Sequence, residues 1–267
     1  MPSWSRYSVT SENIGIYDQI FEKVEVIDCH THIGIDRDGH RLAAHQIIKQ
    51  MDRESVNMAI VFPLDDPRDQ KMFHEPNDEI YSAANTYPGR FIPFFRLNPN
   101  FDWKDEFKLR LSQGFKGVKL HPRSQNFKLA SADAMRIYDA CQKHNLVVVV
   151  HAGFGLEKIA DDLAKIIKRF AKLRLIIGHS AFPDLDNTIK KVAKSENVLF
   201  DTSTCKIFDL IDLMKNVDLN KIAYGSDMPY YAHDVALEGL IDTAITMGLT
   251  AGQIRKMLGS NVAKWFR

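Results

Sequence analysis

Apolar residues fall along this chain in two alternating patterns. Short runs rich in Val, Ile and Phe occur at 24–32, 58–64, 90–97, 115–121, 146–151, 173–179, 198–203 and 222–227. Several are continuous rather than alternating, 146–150 above all, which is the mark of strands buried on both faces. Between them the apolar positions recur at helical spacing. Leu42, His45, Ile48 and Met51 mark the first such stretch, Ile80, Ala83 and Ala84 the second, and Phe107 and Leu111 the third. Met135, Ile137, Tyr138 and Cys141 follow. Ile159, Leu163, Ile166, Ile167 and Phe170 form the clearest amphipathic stripe. Leu185, Ile189 and Val192 come next, then Ile207, Leu210, Ile211 and Met214, and finally the stretches 235–247 and 254–266.

Ahead of the first strand, residues 1–23 read as an arm and a short helix. Ile14, Tyr17, Ile20 and Phe21 recur at helical spacing and Ser11 stands where a cap belongs. Such a helix would cover the closed end of a barrel. Strand alternating with helix at steps of about 25 to 35 residues predicts βα units and a parallel sheet. Eight such units in about 250 residues predict an α/β fold, a single (β/α)8 TIM barrel over 24–267. An open doubly wound sheet would carry a Gly-rich phosphate turn after its first strand. That place holds Thr31-His32-Ile33-Gly34 instead. No linker, repeat or low-complexity stretch divides the chain. The polar segment 65–76, with Pro67 and Pro76, reads as a long, lid-like loop after the second strand.

Composition narrows the function classes. The chain has 267 residues, 45% hydrophobic and 26% charged, as ordinary globular proteins have. A net charge of +1 provides no field to recruit nucleic acid or a membrane surface. Cys29, Cys141 and Cys205 lie far apart and form no CxxC pair, which fits a reducing compartment. Residues 1–17 lack an apolar signal core, and no run approaches membrane-spanning length. The expectation is a soluble cytoplasmic protein.

The chemistry concentrates at strand ends, where a TIM barrel places its active site. The first run ends in Asp28-Cys29-His30-Thr31-His32. Two histidines at i, i+2 on a strand point the same way and can grip one divalent metal. Later runs end at Arg96, at Lys119-Leu120-His121, at His151, at His179, at Asp201-Thr202-Ser203 and at Gly225-Ser226-Asp227. Five of the ten histidines sit at these ends. A catalytic zinc takes three or four N/O ligands and keeps a position open, and His30, His32, His151 and Asp227 would supply them. His179 is then left as an acid/base or as a partner for a developing oxyanion.

These residues resemble the amidohydrolase superfamily, most closely its amidohydrolase-2 branch, which includes aminocarboxymuconate-semialdehyde decarboxylase and many metal-dependent hydrolases. The resemblance rests on the motif 28–32 followed by His151, His179 and 225–227, with Gly117-Val118-Lys119-Leu120-His121-Pro122 also typical, and it spans about 24–266. It implies a distorted (β/α)8 barrel with His30, His32, His151 and Asp227 as ligands, usually to zinc, and with His179 and Asp227 as catalytic residues. The metal count stays open. Binuclear members of the superfamily carry a carbamylated lysine at the position of Lys119, in which case His151 and His179 would hold a second metal; Mn2+ is an alternative ion. With one metal, Lys119 and His121 meet substrate instead, and the buried Lys119 needs an anionic neighbour, either the substrate or Asp201.

Arg96, Lys119, His121 and Arg123 would favour a carboxylate-bearing substrate, with the arginines offering planar forks. Arg96 has a second reading, an ion pair with Asp65 or Asp66. Tyr230, Tyr231 and His233 stand where they can add a wall to the pocket. The leading function is hydrolysis of an amide, lactone or ester by a zinc-bound water. A non-oxidative decarboxylase of an aromatic or enoic acid would use the same site, and an inactive ligand-binding barrel is the third reading. The partner expected is a small anionic molecule, not nucleic acid or membrane. Relatives often form homodimers, and no sequence feature bears on that.

Overall fold

The computed structural model describes residues 11–266 and folds the apolar runs into one nine-stranded sheet. Its strands are β1 (Ile27–Ile35), β2 (Arg41–Leu42), β3 (Met58–Pro63), β4 (Phe91–Arg96), β5 (Gly117–Leu120), β6 (Val147–Val150), β7 (Arg174–Ile177), β8 (Val198–Asp201) and β9 (Ile222–Ala223). The order is β2-β1-β3-β4-β5-β6-β7-β8-β9. Every pair is parallel except the β1–β2 hairpin, an addition to the eight expected runs. The seam between β9 and β1 is closed by backbone bonds. Cys29 N donates to Tyr224 O at 2.9 Å, Asp227 N to His30 O at 2.8 Å and His32 N to Met228 O at 2.9 Å. The result is the TIM barrel that the rhythm predicts.

Helices alternate with the strands: α1 (Ser11–Phe21), α2 (Ala44–Arg53), α3 (His74–Thr86), α4 (Lys104–Ser112), α5 (Ala132–Lys143), α6 (Ala160–Arg169), α7 (Leu185–Val192), α8 (Ile207–Asn216), α9 (His233–Thr246), α10 (Ala251–Arg255) and the last turn α11 (Asn261–Ala263). Helix α1 lies beside α10, where Arg255 donates to the Gln19 carbonyl at 2.6 Å. Residues 1–10 of the expected arm, and the cap expected of Ser11, lie outside the described residues and side chains. Helix α3 starts earlier than the segment 65–76 suggests. Pro76 stands in its first turn, where a helix has no use for the missing N–H. No helix among the described residues is long and apolar enough to cross a membrane.

Strand alternation sorts the core into two layers. Ile60, Phe62, Phe94, Val147, Val149 and Ile176 fill the barrel interior, plugged by Val262, Trp265 and Phe266 of the C-terminal segment. Val148, Val150, Leu175 and Ile177 face outward onto the helices, where they meet the buried stripe Leu163, Ile166 and Ile167 of α6. Lys119 pairs with Val149, and Arg96 pairs with Lys119. Both cations therefore share the inward face at the upper end of the barrel.

Strand β1 departs from regular alternation. Ile27 pairs with Met58 but Thr31 with Val61, so β1 carries one extra residue between Asp28 and Thr31. Five residues apart, Ile27 and His32 would lie on opposite faces of a regular strand. The bulge shifts the phase, so Ile27 faces the interior below and His32 packs against Phe62 above, ring centroids 4.7 Å apart.

Candidate metal centre

A cavity of about 440 Å³ opens at the C-terminal ends of the strands. His32, Arg96, Lys119, His121, Arg123, His151, His179 and Asp227 all line it, so strand ends far apart in sequence meet in one place. His30 lies fully buried at its floor. One ligand atom from each of His30, His179 and Asp227 lies within 4.8 Å of the others. His32 Nε2 stands 3.2 Å from Asp227 Oδ1, the same oxygen that lies 3.2 Å from His30 Nε2. His151 stands behind this group. Its Nδ1 lies 3.0 Å from His179 Nε2, and its ring stacks on His121 with centroids 3.8 Å apart.

Local backbone geometry aims these groups. His179 and Ser180 follow β7 with φ of 55° and 49°, and Asp227 has a φ of 65°. Left-handed backbone in non-glycine residues costs of order 1 kcal/mol each and persists where the surroundings impose it, as at functional sites. Gly153 permits the His179 ring to lie close, since a Cβ there would stand 2.6 Å from His179 Cδ2. The Asp28 carboxylate pins the seam. It accepts from Ser226 N at 3.0 Å, Ser226 Oγ at 2.5 Å, Thr31 Oγ1 at 2.5 Å and His30 N at 2.9 Å, which ties the residues flanking His30 to those flanking Asp227.

Burial sets the charge states. It pushes the His30 and His32 imidazoles well below their ordinary pKa, with Lys119 adding to the effect. Burial does the same to His121 and His151, reinforced by His151 for His121 and by His179 for His151. These rings are neutral and keep free lone pairs. Burial lifts the Asp227 carboxyl to about 6, although His179 and Lys119 pull it down. Lys119, 2.9 Å from His30 Nε2, is pushed down to about 7 by burial against the pull of Asp227 and Asp201. The anionic neighbours that a buried lysine requires are therefore these two carboxylates. Neutral imidazoles around one carboxylate are a donor set that suits a divalent cation of the zinc or manganese kind. The nearby amine is compatible with such a cation once it has lost its proton.

The anion-binding residues divide. Arg96 is buried and donates to Asp65 at 3.1 Å and to Ser124 Oγ at 2.6 Å, and its guanidinium lies 4.8 Å from the Phe73 ring centroid. Asp65 also holds Arg37 at 2.7 Å. Arg96 makes the ion pair, with Asp65 rather than Asp66 as the partner, and it also lines the cavity. Arg123 is exposed at the cavity wall, and its Nη1 donates to the Phe154 carbonyl at 3.4 Å. Tyr230 lines the cavity and donates to Asp36 at 2.5 Å. His233 does not reach the pocket. It is buried at the start of α9, with Nδ1 3.0 Å from the Tyr224 hydroxyl. Tyr231 is half-exposed outside the lining.

The strand end Asp201–Ser203 gains two contacts that the sequence does not indicate. Asp201 Oδ2 lies 2.6 Å from His30 Nδ1, and Ser203 Oγ lies 3.0 Å from His179 Nδ1. The strand end is marked in the sequence, but its histidine partners are not, because they lie elsewhere in the chain.

The fold is a TIM barrel with a candidate metal site at the C-terminal rim of its strands, and the comparisons agree with the fold. A model of the amidohydrolase family, Amidohydro_2, matches residues 27–267, so the chain belongs to this family of enzymes. Solved structures with the same fold include a 2,6-dihydroxybenzoate decarboxylase from Rhizobium, 14% identical with a TM-score of 0.71, covering 91% of this chain and 99% of that one. A dihydroxybenzoic acid decarboxylase from a Polaromonas species, with bound manganese and 2-nitroresorcinol, is 14% identical with a TM-score of 0.67, covering 91% and 97%. A protein described as a probable 2-pyrone-4,6-dicarboxylic acid hydrolase from Acinetobacter baumannii, with citric acid bound, is 16% identical with a TM-score of 0.66, covering 91% and 99%. None of the curated proteins matches the sequence.

Proposed function

We propose that this protein is a metal-dependent hydrolase acting on a small carboxylate-bearing amide, lactone or ester. The observation that carries the reading is the buried group His30, His179 and Asp227 at the floor of a cavity with Arg123 on its wall. These three residues, with His32 against Asp227, would hold a divalent ion, zinc in our reading. When bound, such an ion supplies a Lewis acid that polarises a carbonyl and activates water. The remaining steps belong to the chain. Arg123 takes the substrate carboxylate through its planar fork. His121 and His151 form a flat stacked wall against which a planar substrate packs. Lys119, with Nζ 2.9 Å from His30 Nε2, is placed to donate an N–H of its neutral amine to a developing oxyanion. Asp227, with a pKa near neutrality before metal binding, is placed to take a proton and return it.

The decarboxylase reading uses the same residues and draws support from the two neighbouring dihydroxybenzoate decarboxylases. In that case Arg123 and Lys119 orient the carboxylate that departs. Three unpaired cysteines, far apart in the described chain, support a reducing, cytoplasmic setting.

The test is metal content per chain on protein purified without chelator, followed by a screen of lactones, amides and aromatic carboxylic acids. Stoichiometric zinc with hydrolytic turnover supports the leading reading. Release of CO2 without a second organic product moves the assignment to a lyase. Protein that takes up neither zinc nor manganese refutes both.

A further inference from the structure

Asp201, the last residue of β8, is fully buried with its carboxylate among donors. Oδ2 lies 2.6 Å from His30 Nδ1 and 2.7 Å from Ser203 Oγ, and the His179 amide approaches it at 3.2 Å. Oδ1 accepts from the Ser203 amide at 2.8 Å. Gly225 leaves the room for this, since a Cβ there would stand 2.1 Å from Oδ1. The same Ser203 hydroxyl lies 3.0 Å from His179 Nδ1.

Elementary hydrogen-bond rules fix the direction of every proton in this cluster. A carboxylate only accepts, a hydroxyl has one proton to give, and a neutral imidazole has one N–H. His30 therefore donates Nδ1–H to Asp201, and its bare nitrogen is Nε2. Two oxygens 2.7 Å apart need a proton between them, so Ser203 gives its proton to Asp201. The serine oxygen is then free only to accept, and His179 donates Nδ1–H to it. The bare nitrogen of His179 is again Nε2. His151 Nε2 lies 3.3 Å from the Phe154 carbonyl, which only accepts, so His151 carries its proton there and turns a bare Nδ1 toward His179 Nε2 at 3.0 Å.

We infer that Asp201 fixes the tautomer of both His30 and His179, directly for the first and through the Ser203 hydroxyl for the second, so that both present Nε2 lone pairs to the same point. Asp201 and Ser203 are positioning residues. The inference rests on the proposed metal-binding role of His30 and His179, because the direction of their lone pairs matters to a metal. One carboxylate thereby orients two ligands that arrive from different strands, and the polarity runs outward from the one group that has no proton to give.

The test is long-range 15N–1H NMR on histidine-labelled, full-length, metal-free protein, which distinguishes protonated from bare ring nitrogens, paired with Mn2+ titration. In the wild type both His30 and His179 carry the proton on Nδ1. Asp201→Asn, whose amide can donate where the carboxylate only accepted, moves His30 to Nε2–H and disturbs His179. The Mn2+ affinity falls by about 10- to 100-fold, as for loss of an orienting partner. Ser203→Ala leaves His30 unchanged and alters only His179, and Ser203→Thr, which keeps the hydroxyl, restores it. Nδ1–H retained on both rings in Asp201→Asn overturns the inference. So does a Ser203→Ala variant that shifts His30 and spares His179, and this second variant serves if the first does not fold. Wild-type protein that binds no Mn2+ yet shows both Nδ1–H tautomers would sink the proposed function and leave the proton arrangement standing.

Discussion

Replacing Lys119 by Met removes a buried amine from beside Nε2 of His30, the nitrogen proposed to bind the metal, and leaves a side chain of similar bulk. The amine stands 2.9 Å from His30 Nε2 and 4.3 Å from the Phe62 ring centroid. With its pKa pushed down to about 7, Lys119 is mostly charged at pH 6 and mostly neutral at pH 8. A divalent ion bound to His30 requires the neutral form, so the lysine proton competes with the metal. The penalty is a factor of one plus the ratio of charged to neutral lysine, about tenfold at pH 6 and close to unity at pH 8. Removal of Lys119 also withdraws the charge that helps hold Asp227 down, so part of the gain is offset below neutrality. The expected outcome is a Mn2+ affinity about three- to tenfold higher at pH 6, worth up to about 1.4 kcal/mol, and unchanged at pH 8. Isothermal titration calorimetry on metal-stripped wild type and Lys119→Met at both pH values reads this directly. Weaker binding by the variant at both pH values would refute the reasoning, because it would make Lys119 a ligand, as the free amine or as a carbamate bridging two metals.

The other predictions concern the division of labour around the cavity. His179→Asn reduces metal affinity by more than about a hundredfold, whereas His151→Asn, which removes a supporting partner, costs about tenfold; equal losses in the same titration would return His151 to the ligand set. Arg123→Met raises KM for a carboxylate-bearing substrate by about tenfold, the low end for a charged hydrogen bond because this arginine is exposed, and an unchanged KM would remove it from the binding site. Arg96→Met leaves the partly buried Asp65 with Arg37 as its remaining cation and removes a buried guanidinium, lowering unfolding free energy by about 3 kcal/mol, the low end for a broken buried pair. A denaturation curve like that of the wild type would count against the ion pair.

What the sequence determines is periodicity and therefore topology. The continuous valines of β6 can be satisfied only in a strand covered on both faces, the stripe of α6 only by a helix packed on such a sheet, and eight repeats of this unit only by closing the sheet. Once closure is granted, every strand ends at the same rim. His30, His32, Arg96, Lys119, His151, His179 and Asp227 become neighbours by topology alone, which is why the constellation and the family resemblance are visible before any coordinates.

The remainder depends on distances through space, to which periodicity is blind. The bulge after Asp28 comes from the offset between two pairing strands, and no single-strand pattern encodes it. That Arg96 pairs with Asp65, 3.1 Å away, rather than with Asp66 is a fact of the folded loop and not of the sequence pattern. The left-handed turn after β7, which brings a His179 ring nitrogen within 4.8 Å of ligand atoms of His30 and Asp227, is imposed only by the packed barrel. Asp201 acts on His30 across 171 residues of chain, so its importance is a property of two strand ends brought together and not of either alone.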